Sequence, residues 1–524
     1  MIHEDEGRIR QQLLRAATRR QFLARGGSLA GLVLLGTLPA HRADATVRIR
    51  AYPFSLGVAS GDPTPTGVVL WTRIAPDPLN GGGMQARRVP VRWEIAADDG
   101  FARVVRRGEA LAVPELAHSV HVEAEGLEPS RTYFYRFIYD GEASPVGRTR
   151  TAAAPGTPPE RLTFAFASCQ DYQGGYYNAY RHMADEELDL VVHLGDYIYE
   201  YGPRENAVRR HTGPEITTLD DYRTRYALYR TDADLQRAHA AFPFVVTWDD
   251  HEVDNDYAHD HPEDDTAIEA FLRRRAAAYQ AYYEHMPLRR HSMPTGPDLM
   301  LYRRVTYGDL AEFNVLDTRQ YRAPQPCGNG TVADCADARG PRADILGAAQ
   351  QTWLLDGLGR SRARWNVLAN QLPFAPTLRR AGEGMGYAMD KWDGYTYSRD
   401  RVLETLRYAR VSNPIVLTGD VHVNWVAGSL DHPDRPPIGA EFVGTSIRSG
   451  GNGSPMTSEG ELILEHNPHV SYYNAQRGYV RVTATPRQWT SDYRVVEYVN
   501  EPGAPIRTDA SFVVENGRPG VTRV

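Results

Sequence analysis

Lysine is almost missing from this chain. Lys391 is the only one among 59 basic side chains, and arginine supplies the other 58. A bias of that size reads first as the composition of a GC-rich genome. Cysteine is nearly as scarce, with three residues in 524. Cys327 and Cys335 bracket a short Gly/Asn/Asp loop and suit a local disulfide in an oxidising compartment, which leaves Cys169 unpaired. A free thiol outside the cytoplasm is open to oxidation unless something occupies it. Long apolar runs are absent too: the longest, Leu29–Leu38, is too short for a permanent membrane span. There is no basic excess, since the formal net charge is −7, so nucleic acid is a poor candidate for the main partner. No internal repeat and no low-complexity tract is present. A Gly-x-Ser-x-Gly elbow ahead of a helix is also missing, which argues against a serine hydrolase.

What is present begins with an export signal. Thr18-Arg19-Arg20-Gln21-Phe22-Leu23 is a twin-arginine signature, followed by the apolar run and by Ala43-Asp44-Ala45 as a small-residue cleavage site. Residues 1–45 carry seven Arg and four acids, so their removal would take the net charge from −7 to −10. The alternative is an uncleaved anchor. The expected location is periplasmic, cell-wall-associated or extracellular, with the twin-arginine machinery as the export partner.

At 524 residues the length allows two or three domains. Residues 46–150 read as β structure: Gly67–Trp71, Val91–Ile95, Ser119–Ala124 and Thr132–Phe137 are short strands rich in β-formers. Gly126-Leu-Glu-Pro-Ser-Arg-Thr-Tyr-Phe-Tyr resembles the turn and strand of fibronectin type III or immunoglobulin-like modules, so a small sandwich is expected. Thr151–Pro159 is a linker of Pro and small residues. From 160 to 499 strands alternate with helices, the mark of an α/β domain, and 500–524 reads as a polar tail with a short strand.

The chemistry gathers where strands stop. Leu162–Ala167 runs into Ser168-Cys169-Gln170. Leu190–Leu194 runs into Gly195-Asp196, with Tyr199 three residues on. Phe244–Thr247 is followed by Trp248-Asp249-Asp250-His251-Glu252, with Asn255 just beyond. Ile415–Leu417 leads into Thr418-Gly419-Asp420-Val421-His422. In open α/β sheets ligands bind beyond the carboxyl ends of strands. Each residue alone has a plain explanation: a buried small thiol, a turn aspartate, a core imidazole. Cys, Asp, Tyr and His delivered together to one sheet edge form a metal-site arrangement.

These motifs, in this order, resemble the set that defines PhoD-family alkaline phosphatases, within the calcineurin-like metallophosphoesterases. The resemblance runs from the twin-arginine signal to about Gly450. Generic metallophosphoesterases carry Asp-x-His on the first strand; this chain has Ser-Cys-Gln, as PhoD-like enzymes do. The resemblance implies a central β-sandwich flanked by helices, preceded by the small all-β domain. It implies Fe(3+) held by Cys169, Asp196, Tyr199 and His422, and Ca(2+) held by bridging Asp196 with Asp250 and Asp420. Thiolate and phenolate, with ordinary pKa values of about 8.5 and 10, need a strongly polarising cation to stay ionised near neutrality, and carboxylates suit Ca(2+). Asp249 is the alternative to Asp250, favoured less because Asp250 directly precedes His251.

The implied reaction is phosphomonoester or phosphodiester hydrolysis, with a metal-activated water attacking phosphorus in line. His251 is the candidate proton donor to the departing alkoxide. Asn255 is either a phosphate contact or a turn residue, and Arg319 either a phosphate clamp or an ion pair with Asp317. Lys391-Trp392-Asp393-Gly394-Tyr395 reads as a substrate-side loop or as core packing. The expected substrates are small phosphate esters or phospholipid head groups, and the expected state is a monomer. A phospholipase D-type phosphodiesterase is the nearest rival. A non-catalytic surface-binding module is a more distant one.

Overall fold

The computed structural model describes residues 51–524, so the export signal lies outside the described residues. Two sheets face each other. The larger has eleven strands. At its centre Leu162–Gln170, Leu190–His193, Pro243–Val246 and Val58–Gly61 run parallel. The second has seven strands, with Ala311–Val315, Trp365–Ala369, Pro414–Thr418 and Ala440–Val443 parallel at its centre. Parallel strands buried on both faces read as continuous apolar runs rather than alternating ones. Every residue of Leu162–Gln170 is accordingly buried.

Phe164, Phe166, Val192, Val245, Phe313, Val367, Leu417 and Phe442 fill the space between the sheets. Helices cover the outer faces: Leu219–Arg230, Ala233–Ala241 and Ile268–His285 on the large sheet, and Gly347–Arg360 and Thr396–Tyr408 on the small one. Their ends are chemically specified. Thr218 and Asp221 form a reciprocal capping box, and Asp232 caps the next helix. The result is the expected α/β layering, a sandwich of mixed sheets between helices.

Residues 51–150 are built of strands in two packed sheets, the small all-β sandwich that the sequence suggests, but one of its sheets is continuous with the large sheet. Val58–Gly61, Gly67–Arg73 and Ser119–Glu125 extend the large sheet itself, with Ser60 paired to Pro243 and Gly61 to Phe244. A separate five-stranded sheet built on Val89–Ala96 and Thr132–Tyr139 closes over them. An open edge beside Pro243–Val246 would be an unpaired row of backbone donors and acceptors, and pairing removes it. Trp71 Nε1 donates to Glu284 O at 2.9 Å, and buried Arg303 lies 2.7 Å from Asp62.

The C-terminal residues also depart from the expected tail. Ile506–Glu515 is a ten-residue strand paired along Gln488–Val496, and Phe512 and Val514 enter the inter-sheet core. Its alternation, masked by Arg and Asp on the outer face, is a two-residue period that the polar composition hides. The Cys327–Cys335 disulfide is formed, and Cys169 is the free, buried cysteine.

Candidate metal centre

The parallel strands of both sheets end at one place, and the loops leaving them are conformationally unusual. Cys169, Asp196, Asp420 and His422 all adopt φ between +56° and +63°. Left-handed backbone costs a non-glycine residue roughly 1 kcal/mol or more and persists where surrounding structure over-determines it, often at functional sites. Four of the six expected ligands share it.

Two glycines let the loops meet. At Gly195 (φ +109°) a Cβ would lie 2.5 Å from the Asp249 backbone nitrogen, and at Gly419 one would lie 2.5 Å from Ser168 Oγ. Backbone bonds join the first two loops, Cys169 N to Gly195 O and Gln170 N to Asp196 O, both 3.0 Å. Buried Glu252 ties in the third. It accepts from the backbone nitrogens of Asp196 (3.1 Å), Tyr197 (2.7 Å) and Asp249 (3.0 Å).

The loops bring Cys169 Sγ, an Asp196 oxygen and a His422 nitrogen within 4.8 Å of one another. The Tyr199 hydroxyl joins them, donating to Asp196 Oδ2 at 3.1 Å and lying 3.2 Å from His422 Nε2 and 2.9 Å from Ser449 Oγ. Asp196 Oδ1 is buried and has no hydrogen-bond partner among the described residues. Burial, reinforced by Asp196, pushes the Cys169 thiol and the Tyr199 phenol well above their ordinary ranges. Burial also raises the Asp196 carboxyl, and it lowers His422 to about 3. A sulfur, a phenol oxygen, a carboxylate and a neutral imidazole, protonated or orphaned without a cation, suit a strongly polarising ion that ionises its own ligands.

A second cluster shares Asp196. Its carboxylate, that of Asp250 and a His251 nitrogen lie mutually within 4.8 Å. Burial would raise Asp250, but Arg319 and His251 outweigh it and hold the carboxyl well below the usual carboxylate range. Asp249 faces elsewhere, its Oδ1 accepting from Arg319 Nε at 2.6 Å. Asp420 is not in the cluster as it stands. The Lys391 ammonium takes it, 2.8 Å from Oδ1 and 2.6 Å from Oδ2.

Arg319 is fully buried among acids: Asp249 at 2.6 Å, Asp390 at 3.0 Å, Asp250 at 3.5 Å, Asp256 and Asp420 at 3.9 Å. This corrects the expected ion pair with Asp317, which accepts the backbone nitrogen of Arg319 rather than its guanidinium. It neutralises and spaces the carboxylates instead.

His251 Nδ1 lies 2.8 Å from Glu200 Oε2, so Nε2 is the nitrogen left to face the centre. Burial alone would lower the imidazolium, but Glu200, Asp250 and Asp196 hold it well above the ordinary histidine value. The Asn255 amide donates to Glu263 at 2.7 Å and its backbone nitrogen to Glu200 at 3.0 Å, contacts that suit a turn residue.

Four participants escaped sequence reading. Glu200 and Glu252 each end a chemistry-bearing motif, and that position was their visible signal. Asp390 gave none beyond its place before Lys391. Ser449 sits in a Gly-rich turn whose composition was its only signal.

Comparisons with known proteins agree with this geometry. Residues 164–493 match the PhoD-like phosphatase family, and residues 40–153 match the PhoD-like phosphatase N-terminal domain. Alkaline phosphatase D of Bacillus subtilis (strain 168) is 54% identical over 518 residues, covering 97% of this chain and 89% of that one. A solved structure described as "Structure of PhoD" superposes with a TM-score of 0.89 at 55% identity, covering 91% of this chain and 93% of that chain. With two family domains matched in order and more than half of its residues identical to a phosphatase of that name, the chain belongs to the PhoD-like phosphatase family and is a phosphoric ester hydrolase.

Proposed function

We propose that this hydrolase is exported and works on phosphate monoesters and diesters at a two-cation centre, Fe(3+) beside Ca(2+). The observation that carries the reading is the convergence of Cys169, Asp196, Tyr199 and His422, with Asp196 shared by a carboxylate cluster alongside. The residues fit the ions. Cys169, Asp196, Tyr199 and His422 would hold iron, and Asp196, Asp250 and Asp420 would hold calcium. Such a pair supplies Lewis acidity for a phosphoryl oxygen and lowers the pKa of a water.

The chain's own residues do the rest. Arg319, closed off from solvent, keeps Asp250 and Asp390 ionised and spaces them from Asp249, so the centre is preorganised before substrate enters. Glu200 fixes the His251 ring and keeps it protonated, leaving Nε2 to give its proton to the departing alkoxide oxygen. Ser449 and Arg477 buttress the imidazole side: Ser449 Oγ meets Tyr199, and the Arg477 guanidinium donates to His422 O at 2.8 Å. The Cys327–Cys335 disulfide supports an oxidising destination for a chain whose first 45 residues read as a twin-arginine leader.

The test is elemental analysis of the purified protein together with a monoester and a diester assay on the same sample. Iron and calcium near one each per chain, with activity lost to a chelator, are expected. Full activity in Cys169→Ala would sink the iron assignment. A diester rate far above the monoester rate would move the reading to a phospholipase D-type enzyme.

A further inference from the structure

The hydrolytic scheme leaves one buried cation without a part. Lys391 is the single lysine of the chain, only 14% exposed, with its ammonium between Asp420 (2.6 and 2.8 Å) and Asp390 (3.1 Å). We propose that Lys391 is a substrate-binding residue. Its ammonium holds Asp420 in the position that the second cation would claim. Once that carboxylate goes to a metal, the freed donors turn onto a phosphoryl oxygen. The inference rests on the two-cation reading above and adds the group that grips the substrate.

Three observations support it. The first is charge. Asp390 has no need of the lysine, because its Oδ1 already accepts from Arg319 at 3.0 Å, from Gln325 at 2.9 Å and from Arg322 at closer range, while Lys391 meets only Oδ2. Asp390 is therefore an anchor for the ammonium, and Asp420 is the partner that can be given up.

The second is access. Arg319 and Arg322 are both closed to solvent, whereas Lys391 keeps a solvent face. Of the three cations on these acids, it alone can meet a ligand arriving from water.

The third is mechanical. The backbone around Lys391 is pinned. Trp392 is fully buried with Nε1 donating to Asn370 Oδ1 at 3.0 Å, and Gly394 N donates to Lys391 O at 2.9 Å. At Gly394 a Cβ would lie 2.0 Å from Met389 O, so this turn admits no bulkier residue. Movement is left to the four-carbon stem. A compact ammonium with three rotatable donors can pass from one oxygen to another, which a planar guanidinium does poorly. That accounts for a lysine here in a chain that otherwise uses arginine.

Phosphate itself is the probe, so the test does not require turnover. Wild-type protein and Lys391→Met, loaded to matched iron and calcium content, are titrated calorimetrically with inorganic phosphate. The affinity should fall at least about tenfold in the variant, the loss of one charge-assisted contact. Calcium binding to the metal-free variant should be as tight as in wild type or tighter, because the ammonium no longer competes for Asp420. Phosphate affinity within about twofold of wild type, or a loss fully restored by excess calcium, overturns the proposal.

A second measurement needs no variant. An amine-acetylating reagent can mark only Lys391 and the amino terminus, and phosphate should slow labelling of Lys391 in the metal-loaded enzyme. An unchanged rate, or no labelling without phosphate, also overturns it. Wild-type protein that binds phosphate through Lys391 but hydrolyses no ester would refute the hydrolase reading and leave this inference standing. Wild-type protein that binds no phosphate refutes the inference.

Discussion

At the scale of single residues, the centre is an accumulation of protons waiting for a cation. Cys169 and Tyr199 are pushed up by burial and by Asp196, so both are neutral in the absence of metal, while His422, lowered to about 3, is already an unprotonated ligand. Metal uptake must then release protons, and apparent affinity rises about tenfold per pH unit for each proton released. Competition titrations at several pH values check this, and a pH-independent affinity would contradict it. With the proposed Fe(3+) bound, a thiolate ligand should give a visible charge-transfer band, and Cys169→Ser should keep its thermal stability but lose the thiolate contribution to that band and at least about 100-fold in kcat/KM, beyond what the loss of a mere ligand support costs.

Glu200 is read by a different measurement. It is among the groups that raise His251, so Glu200→Gln lets the imidazolium deprotonate at lower pH. The alkaline limb of the pH–rate profile should move to lower pH, with kcat reduced about 10- to 100-fold. The residue types that converge at the candidate centre were legible in sequence because Cys, Asp, Tyr and His stood at or just beyond the ends of apolar runs. The burial of Arg319 and the turning of Asn255 toward Glu263 were not, since both depend on contacts between loops far apart in sequence. Nothing local to Asp317-Thr318-Arg319 shows that the guanidinium points at residue 249 rather than 317.

At the scale of elements, strand ends fix the chemistry and glycines fix how closely those ends approach. Gly195→Ala combines a φ of +109° with a Cβ 2.5 Å from a backbone nitrogen. A loss of about 2 kcal/mol or more is expected, together with reduced metal content, because Asp196 is carried by the next residue. Thermal melts and metal analysis on one preparation check both halves. The disulfide loop belongs to this scale as well. Gln325 and Asn329 flank Cys327 and hold Asp256, by O and Oδ2, at 2.7 Å each. Strand positions after the linker were legible from their apolar runs. The strand Ile506–Glu515 was not, because its outer face is as polar as a loop.

At the scale of the whole molecule, the α/β body was legible, and so was the linker between the two matched family domains, but the continuity of the sheet across it was not. A change of composition at Thr151–Pro159 marks a linker in sequence, but hydrogen bonding carries the large sheet past it. Deleting residues 51–153 would strip Val58–Gly61 from Pro243–Val246 and take Trp71 away from Arg230, Glu284 and His285. The shortened protein is expected to be insoluble or unfolded rather than a working catalytic domain. Soluble, metal-loaded, active protein from that deletion would show that the two parts are separable.

The same pairing sets a timetable for synthesis. Ser60 finds its partner in Pro243, which the ribosome adds 183 residues later. The early strands must therefore wait, half-covered, until the first loops of the candidate centre have been made, and contacts so distant in sequence form slowly. In a growing cell the vulnerable period for this protein comes before its chemistry exists, while that first strand is paired on one edge only.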